Sequence, residues 1–150
     1  MSIDYKIVPI TEGNYTREKF AALLKKSQAE GYNLVLRFGE NWDSGDNRFN
    51  LPGEAFFGVE NDGRLIGMGG RSIDPYLNDT RAVRVRHVYL LPEWRRLGIG
   101  EALMKRIMDV PAGQFKRMTL RTLHIGARKF YEKIGFQYVG EGDVTHEFEL

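Results

Sequence analysis

The chain has no cysteine, so disulfide scaffolds, thiolate nucleophiles and cysteine-built zinc sites are excluded, and a reducing compartment fits. No apolar run approaches the ~18 residues a membrane span needs, and the opening Met1-Ser2-Ile3-Asp4-Tyr5 lacks a basic segment followed by a hydrophobic one. A soluble, cytoplasmic protein is expected. Charge of one sign is also scarce: 22 Lys and Arg against 20 Asp and Glu leave +2, too little for a polybasic nucleic-acid arm or an acidic disordered tail. The three histidines, His87, His124 and His146, share no short spacing, and no metal is expected.

What remains is an ordinary globular composition, 150 residues with 42% apolar and 12% aromatic side chains, enough to bury one core in a single domain spanning 1–150. Residues 1–75 carry 9 basic and 11 acidic side chains, and 76–150 carry 13 and 9. An anion, if one binds, is expected at the C-terminal half.

Hydrophobic periodicity lays out the elements. Tyr5–Ile10 reads as a short strand, and Thr16 as the N-cap of a helix to about Glu30, with Phe20, Leu23, Leu24 and Ser27 on one face and Gly31 as its stop. From Phe38 to Gly53 the sequence turns polar and Gly-rich, and a long loop is expected, either mobile or functional. Within it Trp42 and Phe49 suggest a lid or partner surface, or else local anchoring. Ala55–Glu60 and Arg64–Ile73 read as a hairpin through Asn61-Asp62-Gly63.

Arg81–Leu91 reads as a strand and Ile99, Leu103, Ile107 and Val110 as a helix stripe. Arg117–Leu123 is a strand, and Gly126–Ile134 a helix with Ala127, Phe130, Tyr131 and Ile134 aligned. Phe136–Val139 and Val144–Leu150 are strands. The fold class is mixed α/β, one sheet with flanking helices. Gly67-Met68-Gly69-Gly70 lies inside a strand pattern, where it marks close backbone packing or a bulge.

The stretch richest in chemistry is Arg95-Arg96-Leu97-Gly98-Ile99-Gly100, set between a strand and a helix. Two glycines let the backbone turn tightly, a helix start offers unpaired N–H groups, and two arginines add positive charge, a combination suited to a phosphate. A plain strand-to-helix turn with surface arginines would carry the same glycines. The nucleotide-hydrolase loop is excluded because no Lys-Ser/Thr follows, and Gly-x-Gly-x-x-Gly because Leu103 holds the third place.

The run Leu90-Leu91-Pro92-Glu93-Trp94-Arg95-Arg96-Leu97-Gly98-Ile99-Gly100 resembles the acetyl-CoA signature of the GNAT superfamily of N-acetyltransferases, Gln/Arg-x-x-Gly-x-Gly/Ala after a strand and Pro-Glu. About thirty residues on, Ala127-Arg128-Lys129-Phe130-Tyr131-Glu132-Lys133-Ile134-Gly135-Phe136 resembles that family's penultimate helix and next strand. The resemblance covers residues 80–150, with 1–75 agreeing only in element order. It implies a GNAT-like fold, a strongly twisted mixed sheet of six or seven strands with about four helices and two splayed central strands, Arg81–Leu91 and Arg117–Leu123. It implies acetyl-CoA as co-substrate, held by backbone groups at Leu90 and Leu91 and by N–H groups and side chains of Arg95, Arg96, Leu97, Gly98, Ile99 and Gly100, with the Leu90 N–H facing the tetrahedral oxyanion.

Acetyl transfer to a primary amine needs two proton steps. An ammonium of reference pKa about 10.4 must lose a proton, and a thiolate of reference pKa about 8.5 leaves more readily when protonated. Tyr131 matches the family's thiolate-protonating tyrosine, though it also continues the core stripe of its helix. The family's strand glutamate is replaced by Arg84, and no carboxylate lies between Asp79 and Glu93. His87 is the candidate base, directly or through water, with a structural role or a substrate arriving neutral as alternatives. His124 stands where an asparagine often contacts the cofactor. Arg81, Arg84 and Arg86 either line a pocket for an acidic substrate or face solvent. The expected acceptor is a small-molecule or peptide amine, with no nucleic-acid or membrane partner; a homodimer using Val144–Leu150 is compatible. A binding-only CoA protein and a small nucleic-acid module are the competing readings.

Overall fold

The computed structural model describes residues 3–150. In chain order the elements are β1 (Lys6–Pro9), α1 (Arg17–Ala29), α2 (Leu34–Ser44), β2 (Ala55–Asn61), β3 (Arg64–Ile73), β4 (Ala82–Leu90), α3 (Ile99–Met108), β5 (Arg117–Leu120), α4 (Ile125–Lys133), β6 (Gln137–Glu141) and β7 (Val144–Glu149), with a 3₁₀ turn at Pro92–Trp94 before α3. The seven strands form one sheet in the order β1-β2-β3-β4-β5-β7-β6. Every neighbouring pair is antiparallel except β4–β5, which is parallel. The mixed sheet with four helices is the fold class expected from the sequence.

Alternation along the strands builds a core on each face. Phe57, Val59, Val83 and Val85 pack with Ile99, Leu103, Met104 and Ile107 of α3 and Tyr131 of α4. On the opposite face Phe56, Met68 and Tyr89 pack with Phe20 and Leu23 of α1 and Val35, Phe38 and Trp42 of α2. Within β3, Gly70 lies so close to the Ala55 carbonyl and Phe56 that a Cβ would collide with both, which accounts for the glycine run inside a strand.

Helix α2 corrects the expected loop at 38–53. Leu34, Val35, Phe38 and Trp42 make a helical stripe, and Gly45, at φ 84°, ends the helix in the left-handed conformation. Trp42 and Phe49 are not a lid: they are 4% and 5% exposed, and Trp42 stacks on Tyr15 with ring centroids 4.9 Å apart. The remaining segment to Gly53 is held by Arg71 of β3. This guanidinium is fully buried and donates to Gly53 O (2.7 Å), Pro111 O (3.0 Å) and Ile107 O (3.5 Å), tying the segment to the C-terminal end of α3.

Candidate functional site

The cleft is a consequence of strand pairing that stops early. β4 and β5 pair over Ala82↔Arg117, Val83↔Met118 and Arg84↔Thr119, and β5 ends at Leu120 rather than at the expected Leu123. Beyond Arg84 the register of β4 on β3 slips, from Gly70↔Arg86 to Met68↔Tyr89, so that His87 and Val88 stand opposite Gly69 alone. His87 is the extra residue of this bulge and takes φ 56°. A bulge bends its strand and sharpens the twist. β4 therefore leaves β5, and a cleft of about 840 Å³ opens between them.

One strand of the cleft presents an unpaired backbone edge. Leu91 N–H donates to Ile66 O across β3, so the groups of Leu90, one residue earlier, point the other way, into the gap. The Leu90 carbonyl accepts from Arg95 Nε at 2.9 Å, which leaves its N–H facing the cleft. This narrows the expectation for Leu91, whose N–H is used by Ile66 and whose carbonyl accepts from Trp94. Arg95 likewise does not stand free for a phosphate: its guanidinium forks onto Glu30 at the end of α1, at 2.8 and 3.0 Å, and lies over the Tyr89 ring. Tyr89 donates to the same carboxylate at 2.5 Å. Hydrogen bonds from Arg95 and Tyr89 hold Glu30 below the usual carboxylate range.

At the end of β4 the chain enters α3 through a bare amide cluster. Arg96 (φ 64°) and Gly98 (φ 87°) take left-handed conformations, and no side chain caps α3. Among the described residues the N–H groups of Arg96, Leu97, Gly98, Ile99, Gly100 and Glu101 have no acceptor, while Gly98 O takes the first intrahelical bond from Ala102. Ile99 is buried in the core and fixes the helix start, whereas Leu97 is exposed. A helix start of this kind binds anions through its N–H groups and dipole.

Tyr131 lines the opposite wall. It is 9% exposed, and burial alone raises its hydroxyl to about 12. His124 lines the same cleft but is also the N-cap of α4, its Nδ1 accepting from Ala127 N–H at 3.3 Å. In the neutral ring this leaves Nε2 as the protonated nitrogen. His87 is half-buried, lines the cleft and packs edge-on to Phe38 and Phe49, and desolvation, with Arg86 and Arg37 nearby, lowers its ring to about 3. A base so weak holds no proton near neutrality and gives little drive for taking one.

A bent strand pair and an inward-facing amide meet in the cleft, the bare helix start follows directly on Arg95 of its lining, and comparison with known proteins agrees. The model of the acetyltransferase (GNAT) domain matches residues 52–138. The chain belongs to the GNAT acetyltransferase family. A protein from Exiguobacterium sp. 255-15 assigned as an acetyltransferase is 32% identical, with 98% of this chain and 94% of that chain covered and a TM-score of 0.85. An acetyltransferase from Streptococcus agalactiae 2603 (17% identity, 97% and 98% covered, TM-score 0.75) shares the fold. So does a GNAT superfamily phosphinothricin acetyltransferase from Sinorhizobium meliloti, solved in complex with acetyl-CoA (15% identity, 99% and 89% covered, TM-score 0.71).

The other end of this acetyltransferase's cleft is formed by α2 and the first half of β4. Of the three arginines considered there, Arg84 and Arg86 line the cleft, while Arg81 is exposed and bonds Asp79. Arg84 is held by buried Asp74 at 3.3 Å, and Thr119 donates to the same carboxylate at 2.6 Å. Arg37, Asn41, Tyr32 and Tyr76 complete this end. Sequence reading missed Glu30, Asp74 and Arg37. The first two act on partners 65 and 10 residues away, and Arg37 lies on the helix mistaken in part for loop.

Proposed function

We propose that this enzyme transfers an acetyl group from acetyl-CoA to a primary amine by direct attack, with no covalent enzyme intermediate. The observation that carries the reading is a cleft lined by Leu90, Arg95 and Tyr131, with the bare amides of Arg96–Glu101 following directly on Arg95. Acetyl-CoA supplies an acyl thioester and a pyrophosphate. The amides from Arg96 to Gly100 suit the pyrophosphate, and His124 Nε2–H and the edge of β4 suit the pantetheine. The Leu90 N–H donates to the carbonyl oxygen as negative charge grows on it. Tyr131, protonated throughout the neutral range, gives its proton to the departing sulfur. The amine loses its proton to water before attack, because His87 in its present surroundings is a hydrogen-bond acceptor more than a base.

Calorimetric titration with acetyl-CoA tests the reading, beside a Gly100→Glu variant. Gly98 is a poor site for such a probe because its φ of 87° strains any side chain. At Gly100 the backbone is ordinary, and a Cβ would meet Phe130 only at 3.7 Å. Loss of binding by about tenfold or more in the variant is expected from a carboxylate placed at the amide cluster. No binding by the wild-type protein, freed of carried-through CoA, would overturn the proposal.

A further inference from the structure

The acceptor end of the cleft carries an unbalanced charge. No residue lining the cleft is Asp or Glu, while five are arginine: Arg37, Arg84, Arg86, Arg95 and Arg121. Three of these have carboxylate partners, Arg84 with Asp74 at 3.3 Å, Arg95 with Glu30 at 2.8 Å and Arg121 with Asp143 at 3.8 Å. Among the described residues Arg86 and Arg37 have none within 4.0 Å. Arg86 reaches only the Ser72 hydroxyl, at 3.3 Å, which Asn47 also holds. Glu40, Asp43 and Asp46 flank Arg37 in a separate outer depression and do not pair with it.

These guanidiniums sit close enough to disturb one another. Burial lowers Arg86, with Arg84 and Arg37 adding to the effect and Asp74 and Tyr76 opposing it. Asp74 answers Arg84 and leaves the half-buried Arg86 unanswered inside this end, with Arg37 exposed at the rim between the cleft and the carboxylates of Glu40, Asp43 and Asp46. A partly buried cation without a counterion is costly, and folds normally satisfy it. Beside it lies His87 Nε2, a buried polar atom with no partner among the described residues. The phosphates of acetyl-CoA do not account for this charge. Arg84 and Arg86 precede the bulge, whereas the bare amides follow the far end of β4.

We propose that the acceptor is a small amine that carries its own anionic group, a carboxylate or phosphonate, held by Arg86 and Arg37. This rests on the acetyl-transfer reading and sharpens it: polyamines and aminoglycosides, all positive charge, would be repelled where an amino acid or aminoalkylphosphonate is drawn in. An anion bound there would also partly offset Arg86 and Arg37, whose charges add to burial in keeping the neighbouring His87 ring unprotonated.

The test is a panel of α-amino acids, ω-amino acids of increasing length and aminoalkylphosphonates, each beside its neutral amide or alcohol counterpart, with a polyamine and an aminoglycoside. CoA release is followed at fixed acetyl-CoA. The best anionic amine should exceed its neutral counterpart at least about tenfold in kcat/KM, as for a charge-assisted bidentate contact. Arg86→Gln and Arg37→Gln should each collapse that preference by raising KM for the acid, without moving KM for acetyl-CoA. Preference for the neutral amines or the polyamine overturns the inference. If no amine turns over, the protein–CoA complex is titrated with the N-acetylated acids and their amides, and equal or absent binding of the acids overturns it as well. Acetyl-CoA binding measured in the same preparation separates this failure from failure of the acetyl-transfer reading.

Discussion

Replacing Tyr131 with Phe removes one oxygen from a ring that is 9% exposed, and the structure sets opposite expectations for stability and for turnover. Burial is the sole cause of the raised hydroxyl pKa, with no hydrogen bond from another described residue contributing, so the variant leaves no partner unsatisfied. Its melting temperature should stay within about 2 °C of the wild type, since the hydroxyl lines the cleft and no described residue loses a hydrogen bond with it. Turnover should fall by about 10²–10⁴, the usual contribution of a positioned general acid, equivalent to about 2.7–5.4 kcal/mol of barrier. The wild-type pH profile adds a second check. With the hydroxyl at about 12, Tyr131 stays protonated well past pH 10. Rate should therefore climb as the amine deprotonates and show no falling limb from this group below about pH 11. Steady-state CoA release with a thiol-reactive dye gives the rates, and calorimetry the stability. Turnover within threefold of wild type would refute the acid role, and a melting point lowered by more than about 5 °C would show that the hydroxyl is structural.

Arg71→Met strips three carbonyls of their donor while relieving a buried charge, and the former should win by about 2–4 kcal/mol, since the hydrogen bonds to Gly53 and Pro111 are short. A melting temperature lower by roughly 5–15 °C, with acetyl-CoA affinity unchanged, is the expected calorimetric result; an unchanged melting point would mean that desolvation cancels the bonds. His87 gives a pH dependence of definite sign. Its folded value of about 3 lies below an unfolded value near 6.5, so between these the unfolded chain binds the extra proton and stability declines as pH falls, by up to about 1.4 kcal/mol per unit. In His87→Asn, a residue that tolerates the positive φ, melting temperatures between pH 6.5 and 4 should depend less steeply on pH than in the wild type, and equal slopes would refute the assignment.

Legibility in the sequence follows the distance over which residues cooperate. The bare amides before α3 and the Tyr131 helix were readable because each is encoded within about ten consecutive residues, by glycine placement and an i, i+3, i+4 stripe. Helix α2 was not, because its stripe of Leu34, Val35, Phe38 and Trp42 straddles the point where Gly39, Glu40 and Asn41 turn the composition polar. Gly39 inside a helix costs about 1 kcal/mol against alanine, a local penalty that burial of Phe38 and Trp42 overrides. The Glu30–Arg95–Tyr89 cluster and the Asp74–Arg84–Thr119 cluster join three elements each, and no local pattern announces them.

The bulge had a trace in the sequence, and that trace links the fold to the chemistry. Along β4 the apolar positions Val83 and Val85 are followed not by position 87 but by Val88 and Leu90, all four against the α3 and α4 face. Strict alternation would have sent Val88 and Leu90 to the side that carries Arg84 and Arg86. One inserted residue, His87, restores their phase. The same insertion bends β4 away from β5, opens the gap, and leaves Arg84, Arg86 and Tyr89 along the wall shared with α2. A single extra residue thus separates the strands where we propose the thioester sits, just past the arginines that face α2. Deleting His87 should therefore close the cleft and weaken acetyl-CoA binding in calorimetry, while Arg84 and Arg86, which precede the bulge, keep their register on Ser72 and Gly70.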